Sequence, residues 1–226
     1  MNYLLNNFDT VLALTGEHLT MIGIALLISI VIALPLGVLL VRSPRLATFI
    51  VGLLGILYTI PSIALLILLW PIFGLNQRTV IAALVIYTQI ILVRNTITGL
   101  QGVPAVMLEA ARGMGMNGWQ RWWRVQFPLA LPVILAGVRI ATVVAIGIAT
   151  IGAKFSAGGL GVLLFEGIAQ NRYDKIVGGS LVIALLALVL NRLLLTTEAY
   201  FDPDQRIRRI ERRQQRSASA IAQVTS

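Results

Sequence analysis

Cysteine is absent from this 226-residue chain, and histidine occurs once, as His18. Disulfides, thiol nucleophiles and cysteine metal sites are therefore excluded, and one imidazole makes no metal cluster. Charge is scarce as well: Asp, Glu, Lys and Arg make up 12% of the residues, against 58% hydrophobic ones. That is too apolar for a water-soluble domain of this length, so the chain belongs in a bilayer as one membrane domain. Acidic residues are the scarcer sign, 9 against 18 basic, for a net charge of +9. The basic residues gather in the loops of one side and in the tail, a topological pattern, so no nucleic-acid partner is expected. An intramembrane enzyme needs a nucleophile, a base or metal ligands within reach, and no catalytic or metal-ligating set presents itself.

What is present is a series of membrane-length apolar runs. Residues 1–18 contain no Lys or Arg and so lack the basic start of a cleavable signal, whereas residues 19–41 are long enough to cross and remain as a first span. Further runs occupy residues 46–73, interrupted by Pro61 and ended by Pro71, then 79–98, 129–153 and 176–197. At 1.5 Å per helical residue each reaches across a hydrocarbon core of ~30 Å. The expectation is an all-α membrane protein of five transmembrane helices, with its termini on opposite sides. If the N-terminus is outside, the inside segments hold Arg42, Arg45, Arg94, Arg112, Arg121, Arg124, Arg206, Arg208, Arg209, Arg212, Arg213 and Arg216. The outside segments then hold only Arg78, Lys154, Arg172 and Lys175, and twelve against four predicts N-out, C-in.

The longest segment between spans, residues 103–132, reads as two short helices on the membrane surface. Pro104 suits a first helical position, and residues 105–112 are good helix formers until Gly113 and Gly115 stop them. Asn117 caps a second helix over residues 118–125, with Trp119, Trp122 and Trp123 at i, i+3, i+4 and Arg121 and Arg124 pointing elsewhere. Ala110, Ala111 and the glycines offer a surface that another backbone can approach, and Glu109 offers one charge to a partner.

The same stretch resembles the membrane subunit of bacterial ATP-binding-cassette importers. Their cytoplasmic loop has Glu-Ala-Ala, three residues, Gly, nine residues, Ile, one residue and Leu-Pro. Here Glu109, Ala110 and Ala111 are followed at those spacings by Gly115, Val125 and Phe127-Pro128, with Val for Ile and Phe for Leu. The resemblance runs over most of residues 19–198. The blocks YTIPSIALLILLWPIFGL, ILVRNTITGLQGVP and EAARGMGMNGWQRWWRVQFPLALPVILAGVRIATV, then AGGLG with FEGI, resemble the osmoprotectant subgroup, which imports glycine betaine, choline, carnitine and related compounds. Where that subgroup has Ala-Leu-Ile-Gly before the glycines, this chain has Ala153, Lys154, Phe155 and Ser156.

The resemblance implies a type I importer permease fold in the bacterial inner membrane, embedded in lipid. Residues 1–18 would be periplasmic, 19–200 the permease domain with its coupling loop at 101–127, and 201–226 a basic cytoplasmic tail, partly disordered. Glu109, Ala110, Ala111, Gly115 and Pro128 would couple the chain to separate ATPase subunits that bind ATP and Mg, with no cofactor on this chain. A second permease copy or paralogue and a separate substrate-binding protein would complete the transporter. An amino-acid importer such as a methionine permease shares the five-span plan and stands as the alternative substrate class. An ion-gradient-driven transporter is disfavoured, since no carboxylate lies in the second to fourth spans and no inverted repeat is apparent.

Several polar or rigid residues within the spans are candidates for the translocation pathway. Pro61 breaks the second run and frees carbonyls for Thr59, Ser62 or water to satisfy, either to line a pathway or as a structural kink. Gln89, Arg94, Asn95 and Thr96 form a polar patch that lines the exit or marks the membrane edge. Arg139 lies in the fourth span, where a charge snorkels or finds a partner. Tyr58, Trp70 and Tyr87 offer π faces to a cationic solute or form an aromatic belt. Gly158, Gly159 and Gly161 lack the strand before and the Lys-Ser/Thr after that a phosphate loop requires, so they predict a close-packing turn before a short outer helix. Arg206 to Arg216 set topology in a solvated tail or meet anionic lipid.

Overall fold

The computed structural model describes residues 2–202 and is entirely helical over them. The basic tail and its lipid reading, from Arg206 onward, lie outside the described residues. After a one-turn helix α1, Asn2–Asn6, a long helix α2 runs over Phe8–Val41. Next come α3, Pro44–Thr59, and α4, Ser62–Phe73, which meet at 95°. Then α5 spans Gln77–Gln101, the loop helices α6 and α7 occupy Ala105–Gly113 and Gly118–Arg121, and α8 takes Phe127–Gly152. A short α9, Gly161–Ala169, precedes α10, Tyr173–Phe201.

Four of these helical stretches are long and apolar enough to cross a membrane, and the bent α3–α4 pair makes a fifth span if counted as one. Proline explains the bend: Pro61 has no N–H, and it pushes Ile60 to ψ 127°, out of the helical region. Pro71, expected to end that run, lies inside α4, which continues to Phe73 and stops at Gly74 with φ +82°. The first span also departs from expectation, since its helix α2 starts at Phe8 rather than near residue 19. Its added turns are held by packing, since Val11 buries with Leu160 and Leu163 under Tyr3, Leu4 and Leu14.

Helix α5 is the centre, packed between α2 and α8, with α10 on the far side of α8. Small residues let these backbones close up, as between neighbouring membrane helices generally. A Cβ at Gly37 would lie 2.5 Å from the Thr96 side chain, and one at Gly137 would lie 2.5 Å from Asn95. Buried hydroxyls bond to the helix carbonyl four residues back or across helices, as Ser29 Oγ and Thr88 Oγ1 do at 2.7 Å. One end of the bundle carries the α6–α7 loop; the opposite end carries α1, the glycine turn and α9.

Candidate functional site

Helix α6 shows why a glycine stands at its particular distance from Glu109. The Gly115 N–H donates to Arg112 O at 2.9 Å and the Met116 N–H to Ala111 O at 3.1 Å, while Gly115 takes φ +76°. These two bonds and the left-handed residue form a Schellman stop, which satisfies the last carbonyls and turns the chain away sharply. The next helix starts from a reciprocal cap, with Asn117 Oδ1 accepting from Gln120 N at 2.8 Å and Gln120 Oε1 from Asn117 N at 3.1 Å.

The two helix faces divide by helical spacing. Val106, Glu109, Ala110 and Gly113, at i, i+3, i+4 and i+7, are exposed, and Val106 is 72% so. Leu108 packs against the cluster of Leu100, Val103, Ala130 and Ile134 at the base of the spans. Ala111 is buried within the chain, so it is not part of the open surface expected of it. The open face combines one carboxylate, two small residues and an apolar side chain, and Met107 and Met114 are exposed beside it. Pro128 and Gly115 are exposed as well.

The second loop helix does not end near Val125 as expected. It passes through a π-helical turn, Trp122–Gln126, straight into α8, with the Phe127 N–H donating to Trp122 O. Pro128 supplies the cause: without an N–H, and with a ring that crowds the carbonyl four residues back, it favours a widened turn before it. Trp122 tilts onto Phe127 with 6.1 Å between centroids, while the exposed Trp119 and Trp123 meet edge to face at 5.5 Å.

The five pathway candidates do not converge on one cavity. At the bend, Thr59 Oγ1 bonds back to Ile56 O at 2.7 Å, Pro61 is exposed and Ser62 half-buried. The carbonyl freed at Ile60 is satisfied by the Tyr87 hydroxyl from α5, a partner that sequence reasoning missed. Tyr87 also packs edge to face on Tyr58 at 5.7 Å, so these two rings brace the bend. Trp70 stands apart on α4. Gln89 is buried against α2, with Nε2 3.4 Å from Ser29 O, and Asn95 Nδ2 bonds Ile91 O at 2.8 Å beside Gly137. Arg139 does find a partner: its Nε lies 3.0 Å from Glu198 Oε2 on α10, with Asn191 Oδ1 3.5 Å away.

At the opposite end, the glycine turn is a close-packing turn as expected. Gly158 and Gly159 take φ +76° and +77°, and Glu17 Oε2 of α2 accepts the Gly159 N–H at 2.8 Å. His18 is buried there, and a Cβ at Gly159 would meet its Nδ1 at 2.9 Å. Lys175 is buried and paired with Glu166 of α9, whereas Lys154 is exposed over the Phe165 ring at 4.6 Å. Among the described residues, no group of three or more His, Asp or Glu stands close enough to hold a metal ion.

Comparison with known proteins gives these features a context. Residues 20–207 match the family model of binding-protein-dependent transport system inner membrane components. The chain is 41% identical over 208 residues to the osmoprotectant import permease protein OsmW of Salmonella typhimurium, covering 90% of this chain and 97% of that one. It is 37% identical over 203 residues to the glycine betaine/carnitine/choline transport system permease protein OpuCB of Bacillus subtilis, covering 90% and 94%. Among solved structures, a chain of the inward-facing MetNI methionine ABC transporter superposes with a TM-score of 0.75 at 22% identity, over 86% of this chain and 97% of that one. At that identity the likeness concerns the fold alone.

Proposed function

The chain belongs to the family of binding-protein-dependent transport system inner membrane components, and from that membership we propose that it is the permease subunit of an ATP-driven importer of a compatible solute. Glycine betaine, choline, carnitine or a similar compound is the cargo, because the relative at 41% identity is named an osmoprotectant permease and the one at 37% carries those solute names, each over 90% of this chain. The observation that carries the mechanism is α6: a stiff, sharply terminated helix with Glu109 on an open face of small residues, suited to a groove in another protein. Chains at the MetNI level of similarity share the fold without indicating the solute, so methionine is not favoured.

In this reading the chain pairs with a second permease, copy or paralogue, and a binding protein delivers solute to the outer face. Separate ATPase subunits bind ATP and Mg and close beneath the pair. Closure moves the α6 helices and rocks the spans, opening the cavity outward; hydrolysis returns it inward. The N-terminus lies outside and the C-terminus inside, which puts α6 where ATP is. Selectivity resides mainly in the binding protein, because a translocation cavity has to release what it accepts. Thr59, Pro61, Ser62, Gln89 and Asn95 act in the pathway through the shape of the bend and the α2–α5 contact, not as a cage around the solute.

The test is uptake of labelled glycine betaine into proteoliposomes holding the chain with its ATPase, binding protein outside and ATP inside. The proposal expects ATP-dependent uptake that survives ionophores. Uptake of a different solute would change the cargo only; uptake that follows an ion gradient without ATP would overturn the importer itself.

A further inference from the structure

At the loop end of the bundle a groove of about 820 Å³ opens between the last turns of α2 and the segment that joins α7 to α8. Its floor and walls are mostly apolar, including Val38 and Leu39 of α2, Leu100 of α5 and Ile134 of α8, with Thr96 and Gln126 the uncharged polar residues among them. Its rim is different. Trp119, Trp122 and Trp123 of the loop line it with Arg121, which ends α7, and Arg42, which caps the C-terminus of α2. No acidic residue lines the groove, and among the described residues neither guanidinium has a carboxylate partner.

We propose that this groove holds one anionic phospholipid of the surrounding bilayer, its acyl chain on the apolar floor and its phosphate between Arg42 and Arg121. The volume falls within the ~300–1,000 Å³ of ordinary small-ligand sites, enough for a chain segment with the headgroup outside. Indoles prefer the depth where headgroups meet acyl chains, and arginine reaches phosphate from that depth with a fork of donors. Two guanidiniums without a carboxylate partner among the described residues, set over an apolar slot, match an amphiphile with a negative head. Bound there, the lipid would touch α2, α5 and the root of the loop at once, so the site sits where leaflet charge meets the moving part of the chain.

The probe is acyl-brominated phosphatidylglycerol, compared with acyl-brominated phosphatidylcholine at equal mole fraction. The full chain carries Trp70→Phe, so that only the three groove tryptophans emit and are quenched by bromine in contact. Each cation near an anionic headgroup is worth roughly fivefold, so the pair gives a preference of about 25-fold for phosphatidylglycerol. R42Q/R121Q abolishes that preference, while R42K/R121K keeps most of it and shows that the loss is one of charge rather than folding. Equal quenching by the two lipids would overturn the site. So would a preference that survives R42Q/R121Q, which would belong to another basic segment such as the tail. In the complete transporter, mass spectrometry should find phosphatidylglycerol retained by the wild type and lost from R42Q/R121Q; no retained lipid would mean that a protein partner covers the groove, and the proposal would fail.

Discussion

Helices α6 and α9 are both nine residues long, both lie between spans and both adjoin glycines with positive φ, yet their side chains are disposed in opposite ways. In α9, Gly161, Leu163 and Gly167 are buried, Glu166 pairs with Lys175, and the preceding turn is tied to Glu17. In α6 only Ala111 is buried, and Glu109 has no partner among the described residues. Every strong interaction available to α9 is satisfied within the chain. The best side chains of α6 are left over, which is what a docking element requires. Substitutions in α9 are therefore expected to cost stability, and those in α6 to cost transport.

The largest effect separates the two most directly. Glu109→Lys reverses the one charge on the open face of α6. Losing one member of a buried interfacial charge pair costs about 2–5 kcal/mol, so ATP-driven uptake should drop by at least ~30-fold. Unfolding of the isolated chain in mixed micelles should stay within about 0.5 kcal/mol of wild type, as for other exposed substitutions. If the melt fell as far as the uptake, α6 would be structural like α9.

Gly161→Ala is the mirror experiment. A Cβ there would overlap the Thr150 carbonyl oxygen, and a backbone atom at the end of α8 has little room to retreat. Moving α9 off that contact should cost about 3 kcal/mol in the same unfolding measurement. A cost under about 1 kcal/mol would mean that α9 is as loosely held as α6.

How far the sequence revealed this contrast depends on the range of the interaction. Spans were legible because apolar runs of that length have no other use, and the bend because Pro61 cannot continue a helix. The loop was legible in its stop at Gly115 and its cap at Asn117, both decided within a few residues. The buried side of Ala111 was readable only with hindsight, from its spacing to Leu108. Tyr87 bonding Ile60, Arg139 meeting Glu198 and Glu17 reaching Gly159 across 142 positions were not legible. Periodicity tells which face of a helix is buried but not against what, and these partners are chosen by how the helices cross. The start of α2 at Phe8 was missed for the same reason, since Val11 buries against α9 and its neighbours.

Glu17→Ala probes one of those distant contacts. It removes the acceptor of the Gly159 N–H, a hydrogen bond to a charged group, but Glu17 itself is exposed and water can partly replace it. The expected loss is about 1.5 kcal/mol, the low end for charged hydrogen bonds. Glu17→Gln keeps an oxygen acceptor and should recover about half of it. Equal losses for both variants would show that the carboxylate charge, rather than an oxygen acceptor as such, carries the contact, and full recovery in Glu17→Gln would show that packing against Gly158 does.

The smallest effect lies in the loop and tests whether the glycine of the coupling pattern serves the backbone or the partner. Gly115 sits at φ +76° with open space around its missing Cβ, so Gly115→Ala meets no atom and suffers only the left-handed strain, about 1 kcal/mol. Because α6 barely anchors to the bundle, that strain should be relieved locally. Amide exchange at Arg112 through Met116 would speed up by about fivefold while the global unfolding transition stays put. Gly115→Asn decides between the two roles, since asparagine tolerates the left-handed region but adds a polar side chain to the exposed surface. If exchange and uptake both return toward wild type in Gly115→Asn, the glycine is there to end α6 at the right residue and so to aim Glu109. If exchange recovers while uptake does not, the missing side chain is itself part of the surface that the partner approaches.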